Sequence, residues 1–153
     1  MKYMSHNDIR NMWFKFFTEK GHKKIESASL IPVNDDSLLW INAGVTPLKK
    51  YFDGTKVPSS KRLVSIQKCI RTNDIENVGI TKRHQTFFEM MGNFSVGDYF
   101  KKEAIEFSFE LLTSPDYFAI DKNLLYVTVY SDDLESKNKW IEVGLDPTHI
   151  IPL

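Results

Sequence analysis

Residues 62–94 read RLVSIQKCIRTNDIENVGITKRHQTFFEMMGNF, and the fold turns on how this stretch is read. From Arg62 to Arg71 the chain alternates, so that Val64, Ile66 and Ile70 fall on one face of an extended strand and Ser65, Gln67, Cys69 and Arg71 on the other. The first face suits a core. The second is small and polar and ends in a cation, which suits the wall of a cleft. A polar stretch, TNDIENVGITKR, then leads to HQTFFEMMGNF, whose aromatic and sulfur-containing residues suit a second strand. The two segments make a long-looped antiparallel hairpin. On its second strand His84 and Phe88 share the cleft face, and Phe87 points to the opposite face and into the core.

Upstream, Ile9, Met12, Trp13, Phe16 and Phe17 recur in steps of three, one, three and one, the stripe of a helix over residues 5–20. Ser5 and Asp8 form a capping pair, and Gly21 supplies the left-handed residue that ends many helices. PVNDDS at 32–37 is turn-forming, and Leu38, Leu39, Trp40 and Ile41 suit a short strand before AGVTP. DGTKVPSS at 53–60 is a surface loop. Downstream, Asp98 is the expected N-cap of a helix over 99–112 with the stripe Phe100, Ala104, Phe107 and Leu111, widened by Ile105, Phe109 and Leu112 and stopped by TSP. LLYVTVY at 124–130 reads as a strand. DLESKNKWIEV before Gly144 reads as a polar helix anchored by Leu134, Trp140, Ile141 and Val143. THIIPL at the end begins a fresh apolar run, either a terminal strand or a pattern cut short.

The chain's 153 residues match one ordinary domain, and 42% hydrophobic with 26% charged residues is the composition of a packed protein. Twenty Lys plus Arg balance twenty Asp plus Glu, so the basic footprint of an autonomous nucleic-acid binder is missing. The single Cys69 excludes an intramolecular disulfide and a cysteine zinc cage, and it fits a reducing, cytoplasmic setting. No apolar run approaches the ~18 residues that span a bilayer.

The hairpin also brings three chemically distinct groups together. Arg71 can grip phosphate oxygens with directed hydrogen bonds, His84 can reach a more distal phosphate, and Phe88 offers a purine a flat surface. Spacing alone leaves a plainer alternative open, in which Arg71 pairs with a carboxylate, His84 caps a loop and Phe88 is core. Cys69 reads as a small strand residue.

Longer runs carry a resemblance. FFTEKGHKKIESASLIP resembles the helix and following strand of class II motif 1, LLWINAGVTPLKKYF resembles an NAGM-type segment, and IQKCIRTNDIENVGITKRHQTFFEMMGNFSVGDYF resembles motif 2 of the alanyl-tRNA synthetases, a class II aminoacyl-tRNA synthetase family. The resemblance runs from about residue 8 to the end of the chain. It implies an α+β fold, a class II antiparallel sheet of six to eight strands flanked by helices and incomplete in these residues. It further implies that ATP binds bent across motif 2, with Arg71 on the α-phosphate, His84 near the γ-phosphate and Phe88 under adenine. Magnesium, alanine and tRNA(Ala) are the accompanying ligands and partners. The alternative from another class is a non-catalytic nucleotide-binding or interaction module derived from such a synthetase.

Two departures qualify the match. RTNDIENVG stands where many members have RAGGKHNDLENVG, so the loop is four residues shorter and lacks that lysine. Val45 stands where the NAGM-type segment commonly has methionine near the amino-acid pocket, leaving an apolar wall of different volume. Gly92, Asn93 and Gly97 match the family run but read as backbone turns and helix entry. Motif 3, the tRNA-recognition region and the zinc-binding editing domain are expected beyond residue 153. By this resemblance residues 1–153 are the N-terminal portion of the catalytic domain, inactive alone and free of the editing-domain zinc.

Overall fold

Helix α1 (His6–Glu19) forms where the apolar stripe called for it. Its start is a reciprocal capping box: Asp8 N–H donates to Ser5 Oγ (3.2 Å), and Ser5 N–H donates to an Asp8 carboxylate oxygen (2.9 Å). Its end is a Schellman turn, with Gly21 at φ 81°. Gly21 N–H donates to Thr18 C=O and His22 N–H to Phe17 C=O, both at 2.9 Å. An Arg62 terminal N–H then takes up the Lys20 carbonyl at 2.9 Å. Gly21→Ala, which forces a Cβ into left-handed backbone, is expected to cost about 1 kcal/mol in denaturant unfolding.

The structure, a computed structural model, describes residues 3–33, 35 and 37–153. Within the 32–37 turn, Asn34 and Asp36 lie outside the described residues. Contacts gather into two compact units, residues 13–97 and residues 3–12 with 98–153.

In the first unit β2 (Arg62–Ile70) pairs antiparallel with β3 (Phe87–Ser95) in the register Arg62↔Ser95 to Ile70↔Phe87, the expected hairpin. A two-residue strand, β1 (Lys23–Lys24), adds to β2 in parallel, giving the order β1-β2-β3. β2 is therefore central, and its chemistry differs from the expected division into core face and cleft face. Ser65, Gln67 and Cys69 are as buried as Leu63, Val64 and Ile66. The chain after β1 continues beside β2 and is held there by side chains. Ser27 Oγ accepts from Lys68 N–H (3.1 Å), and the Gln67 amide engages Ala28. Gly92 sits in β3 opposite Ser65, and a Cβ there would meet the Phe94 ring at 2.5 Å. Gly97 has φ 66°, the turn that leads out of the hairpin.

The expected strand at Leu38–Ile41 does not form. Ile41 donates to Leu30 C=O (2.8 Å) and accepts from Ile70 N–H (2.9 Å), whereas Leu38 N–H turns back onto Asp35 C=O (3.4 Å) and Leu39 is exposed. A 3-10 turn over Thr46–Leu48 runs into α2 (Lys49–Phe52), and 53–60 is the surface loop expected.

In the second unit α3 (Lys101–Thr113) begins two residues later than the sequence suggests. Phe100, not Asp98, is its N-cap, with no side-chain cap, and the Phe100 ring is 77% exposed rather than part of the buried stripe. Ile105 and Leu111 are the buried positions, and Ser114-Pro115 stops the helix as expected. The LLYVTVY run yields only β4 (Val127–Val129), which pairs in parallel with β5 (Ile150–Pro152), itself preceded by a 3-10 turn over Pro147–His149. Residues 122–124 instead form a 3-10 turn capped by Asp121. Val129, Ile150 and Leu145 make the small core, with Phe109, Leu125, Val127 and Trp140 against it.

Helix α4 (Leu134–Glu142) is anchored differently from expectation, since Leu134 and Ile141 are exposed. Trp140 supplies the apolar contact, and the buried Lys139 ammonium bridges to Glu106 of α3 and to Glu142 (2.8 Å). At the helix start Asp133 accepts from Lys101 Nζ (2.8 Å), Ser136 N–H (3.1 Å) and Ser136 Oγ (2.8 Å). Lys101 first, then Ser136, lower its pKa from the ordinary 3.8 to about 2. A carboxyl whose folded pKa is depressed stabilises the fold above pH 3.8, and that contribution is lost as pH falls from 3.8 to about 2. Asp133→Asn is thus expected to unfold more easily than the parent at neutral pH, the two curves converging near pH 2. Among the described residues no helix is long and apolar enough to cross a membrane.

Candidate functional site

The end of the hairpin distal to Arg62 gathers the three expected groups. Arg71 follows the last residue of β2 and stays in register by donating its N–H to Thr86 C=O at 2.9 Å. Its side chain is exposed, and its Nε donates to the Asn42 carbonyl at 3.0 Å. That bond uses one of five guanidinium donors. No ion pair to a carboxylate engages the others among the described residues, contrary to the plainer alternative.

Phe88 lies on the cleft face of β3, opposite Cys69, half-buried, with the Arg71 guanidinium carbon 5.2 Å from its ring centroid. His84 reaches the same place by another route. The sequence puts it on the strand, but β3 begins only at Phe87, so His84 sits in the preceding turn, where its Nδ1 meets Thr81 Oγ1 at 2.6 Å. The shared-face argument therefore fails for His84, because period two holds only within the ladder. The loop nevertheless returns the imidazole to the cleft. Arg71, His84 and Phe88 line one recess of about 350 Å³ together with Asp74, Arg83 and Gln85.

Cys69, behind Phe88, is fully buried, and burial pushes its thiol pKa up despite nearby Arg71. It has the character of an inert strand residue. Phe87 contradicts the expectation of a core ring: it is 53% exposed, pairing with Ile70 at the loop end of the hairpin. Phe87→Ala is accordingly expected to move the unfolding free energy by less than about 1 kcal/mol, against the ~3 to 5 that a buried phenylalanine costs.

Val45 stands apart. It is the N-cap of the 46–48 turn, 43% exposed. A larger recess of about 510 Å³, lined by Ser29, Ile31, Ile41, Thr46 and Lys49 among others, does not include it. Lys49 there is paired with Asp35 at 3.1 Å.

Sequence reading missed Asn42, Asp74, Arg83 and Gln85. Arg83 adjoins His84 in the chain and could have been suspected from that adjacency. Asn42 acts through its backbone carbonyl, which every residue type carries.

The hairpin thus presents to one recess an arginine with no carboxylate partner among the described residues, an imidazole and a ring. Residues 8–153 match the model of the tRNA synthetases class II (A), and the chain belongs to that family. It is 65% identical over 150 residues to an alanine–tRNA ligase of Acholeplasma laidlawii and 60% identical over 153 residues to one of Streptococcus suis. Those alignments cover 98% and 100% of this chain, which spans 18% of the length of either relative.

Proposed function

We propose that this chain is the N-terminal portion of the catalytic domain of an alanine–tRNA ligase and contributes the part that holds ATP. The observation that carries the proposal is the Arg71 guanidinium, fixed through Nε and unpaired by any carboxylate among the described residues, in one recess with His84 and Phe88. In this reading Phe88 stacks on adenine, Arg71 grips the α-phosphate, and His84 meets the distal phosphates. Val45 is retained as an apolar wall of the amino-acid pocket.

The reaction would be acyl-adenylate formation. An alanine carboxylate oxygen attacks the α-phosphorus, a P–O bond forms, and the bond to the β-phosphate bridging oxygen breaks. Pyrophosphate leaves with that electron pair. A hydroxyl of the tRNA 3′-terminal adenosine then attacks the alanyl carbonyl carbon, and AMP leaves. Charge building on the α-phosphate oxygens is met by Arg71, whose aligned N–H donors need no reorganisation at the moment of reaction.

Among the described residues no three His, Cys, Asp or Glu side chains converge as a metal cage. Magnesium fits here as an ion carried by the nucleotide's own phosphates, where it would neutralise charge. The similarity to ligases named for alanine, and membership of the class II family, support the amino acid and the tRNA as substrates.

The test is alanine-dependent exchange of pyrophosphate into ATP by the full-length protein. Exchange that requires alanine is expected, and its absence in a folded protein that still binds ATP would favour a nucleotide-binding module. In the same protein Phe88→Ala is expected to raise the ATP concentration needed for half-maximal exchange about tenfold, the loss of ~0.5 to 1.5 kcal/mol of ring stacking plus buried area. Titrating ATP on parent and variant checks it.

A further inference from the structure

We propose that Gln67 is a positioning residue for Arg71, acting through the backbone of residues 28–30 and 41–42. This inference rests on the reading of Arg71 as a phosphate-binding group. Gln67 is 2% exposed on the central strand, where an unpaired amide would be costly. Its oxygen accepts from Ala28 N–H at 2.8 Å, and its nitrogen donates to Ala28 C=O at 3.1 Å and to Lys68 C=O at 2.8 Å. Both amide donors and the oxygen are used, so the amide clamps Ala28 as a neighbouring strand would.

The clamp leads in one direction. Two residues after Ala28, the Leu30 carbonyl accepts from Ile41 N–H at 2.8 Å. The Ile41 carbonyl accepts from Ile70 N–H at 2.9 Å, and the next carbonyl, Asn42, accepts from Arg71 Nε at 3.0 Å. Gln67 and Arg71 share a face of the same strand line, four residues apart, and residues 28–30 with residues 41–42 form an outer bracket held by them. The bracket holds the guanidinium: Nε is taken by the Asn42 carbonyl, and Arg71 lines the recess. Loosening Ala28 lets Leu30, Ile41 and Asn42 shift, and the bond that orients Arg71 shifts with them. A side chain that never touches the nucleotide would thereby set the geometry of one that does.

The experiment is a double-mutant cycle on the full-length protein, with single-turnover adenylate formation measured well below each variant's unfolding midpoint. Gln67→Met keeps the side-chain length and removes every hydrogen bond. It is expected to slow adenylate formation about tenfold with little change in the apparent ATP affinity, as a slight misalignment of a positioned group does. In an Arg71→Ala background the same change is expected to alter the rate by less than about twofold, since the group it positions is gone. Gln67→Leu, which likewise removes every side-chain hydrogen bond, should slow adenylate formation about as much as Gln67→Met. It also serves in the cycle should Gln67→Met fail to fold. Equal slowing by the Gln67 change in both backgrounds would overturn the inference and leave the reading of Arg71 intact. A full rate in Arg71→Ala alone would overturn that reading and the inference with it.

Discussion

Arg71→Ala in the full-length protein is expected to slow adenylate formation about a hundredfold, or ~3 kcal/mol in the barrier, the usual loss for one preorganised donor aimed at developing charge. The unfolding midpoint should hardly move. Arg71 lies past the last ladder pair of β2 with an exposed side chain, and its backbone bond to Thr86 survives the substitution. The lost protein contacts are one hydrogen bond to a carbonyl and one approach to the Phe88 ring. Single-turnover rates and thermal unfolding, measured on the same preparation, separate the two effects. A fall in rate that vanishes on cooling, tracking a fall in midpoint, would mean that Arg71 serves the fold.

Phe16→Ala is expected to produce the opposite signature and the largest stability loss among these variants, ~3 to 5 kcal/mol, because truncating a buried phenylalanine loses transfer free energy and leaves a cavity. Phe16 has no exposed surface and meets Phe17 edge-on at 5.0 Å between ring centroids. Lys20 Nζ also lies 5.2 Å from its ring centroid, so the substitution strips a contact from the Schellman turn that ends α1. Denaturant unfolding should show a lower midpoint with an unchanged slope. A loss below about 1 kcal/mol would mean that the surrounding chain closes the cavity, which close-packed interiors seldom manage.

The amino-acid pattern determined those features whose causes are local. Helix α1 was legible to within a residue at each end because its stripe, its Ser5–Asp8 box and Gly21 lie within one stretch of chain and agree with one another. The β2–β3 hairpin was legible for the same reason, since alternation marks a strand and a polar loop marks its turn. Alternation put Arg71 and Phe88 on one face of the hairpin, and that both line one recess is seen in the structure.

Tertiary structure alone decided where each pattern stops and what covers each face. LLYVTVY has the composition of a seven-residue strand, yet only Val127–Val129 pair, because the residues before β4 and before its partner β5 take up 3-10 turns. Leu38–Ile41 has strand composition, yet Leu38 N–H turns back onto Asp35 and Ile41 alone of the two bonds to distant segments. Asp98 is a good cap type two residues too early, and Phe100 and Phe87, apolar in sequence, face outward because no described element lies over them. Ser65 and Gln67 looked like cleft residues and are buried, and the Gln67 amide is held by Ala28, thirty-nine residues away in the chain. His84 reaches the recess from a turn, and Asn42 orients Arg71 through a carbonyl that no side chain announces. The physical reason is common to all of these: periodicity records what each residue prefers against its nearest neighbours, whereas burial and hydrogen-bond partners are set by segments distant in the chain, whose arrival a one-dimensional pattern does not encode.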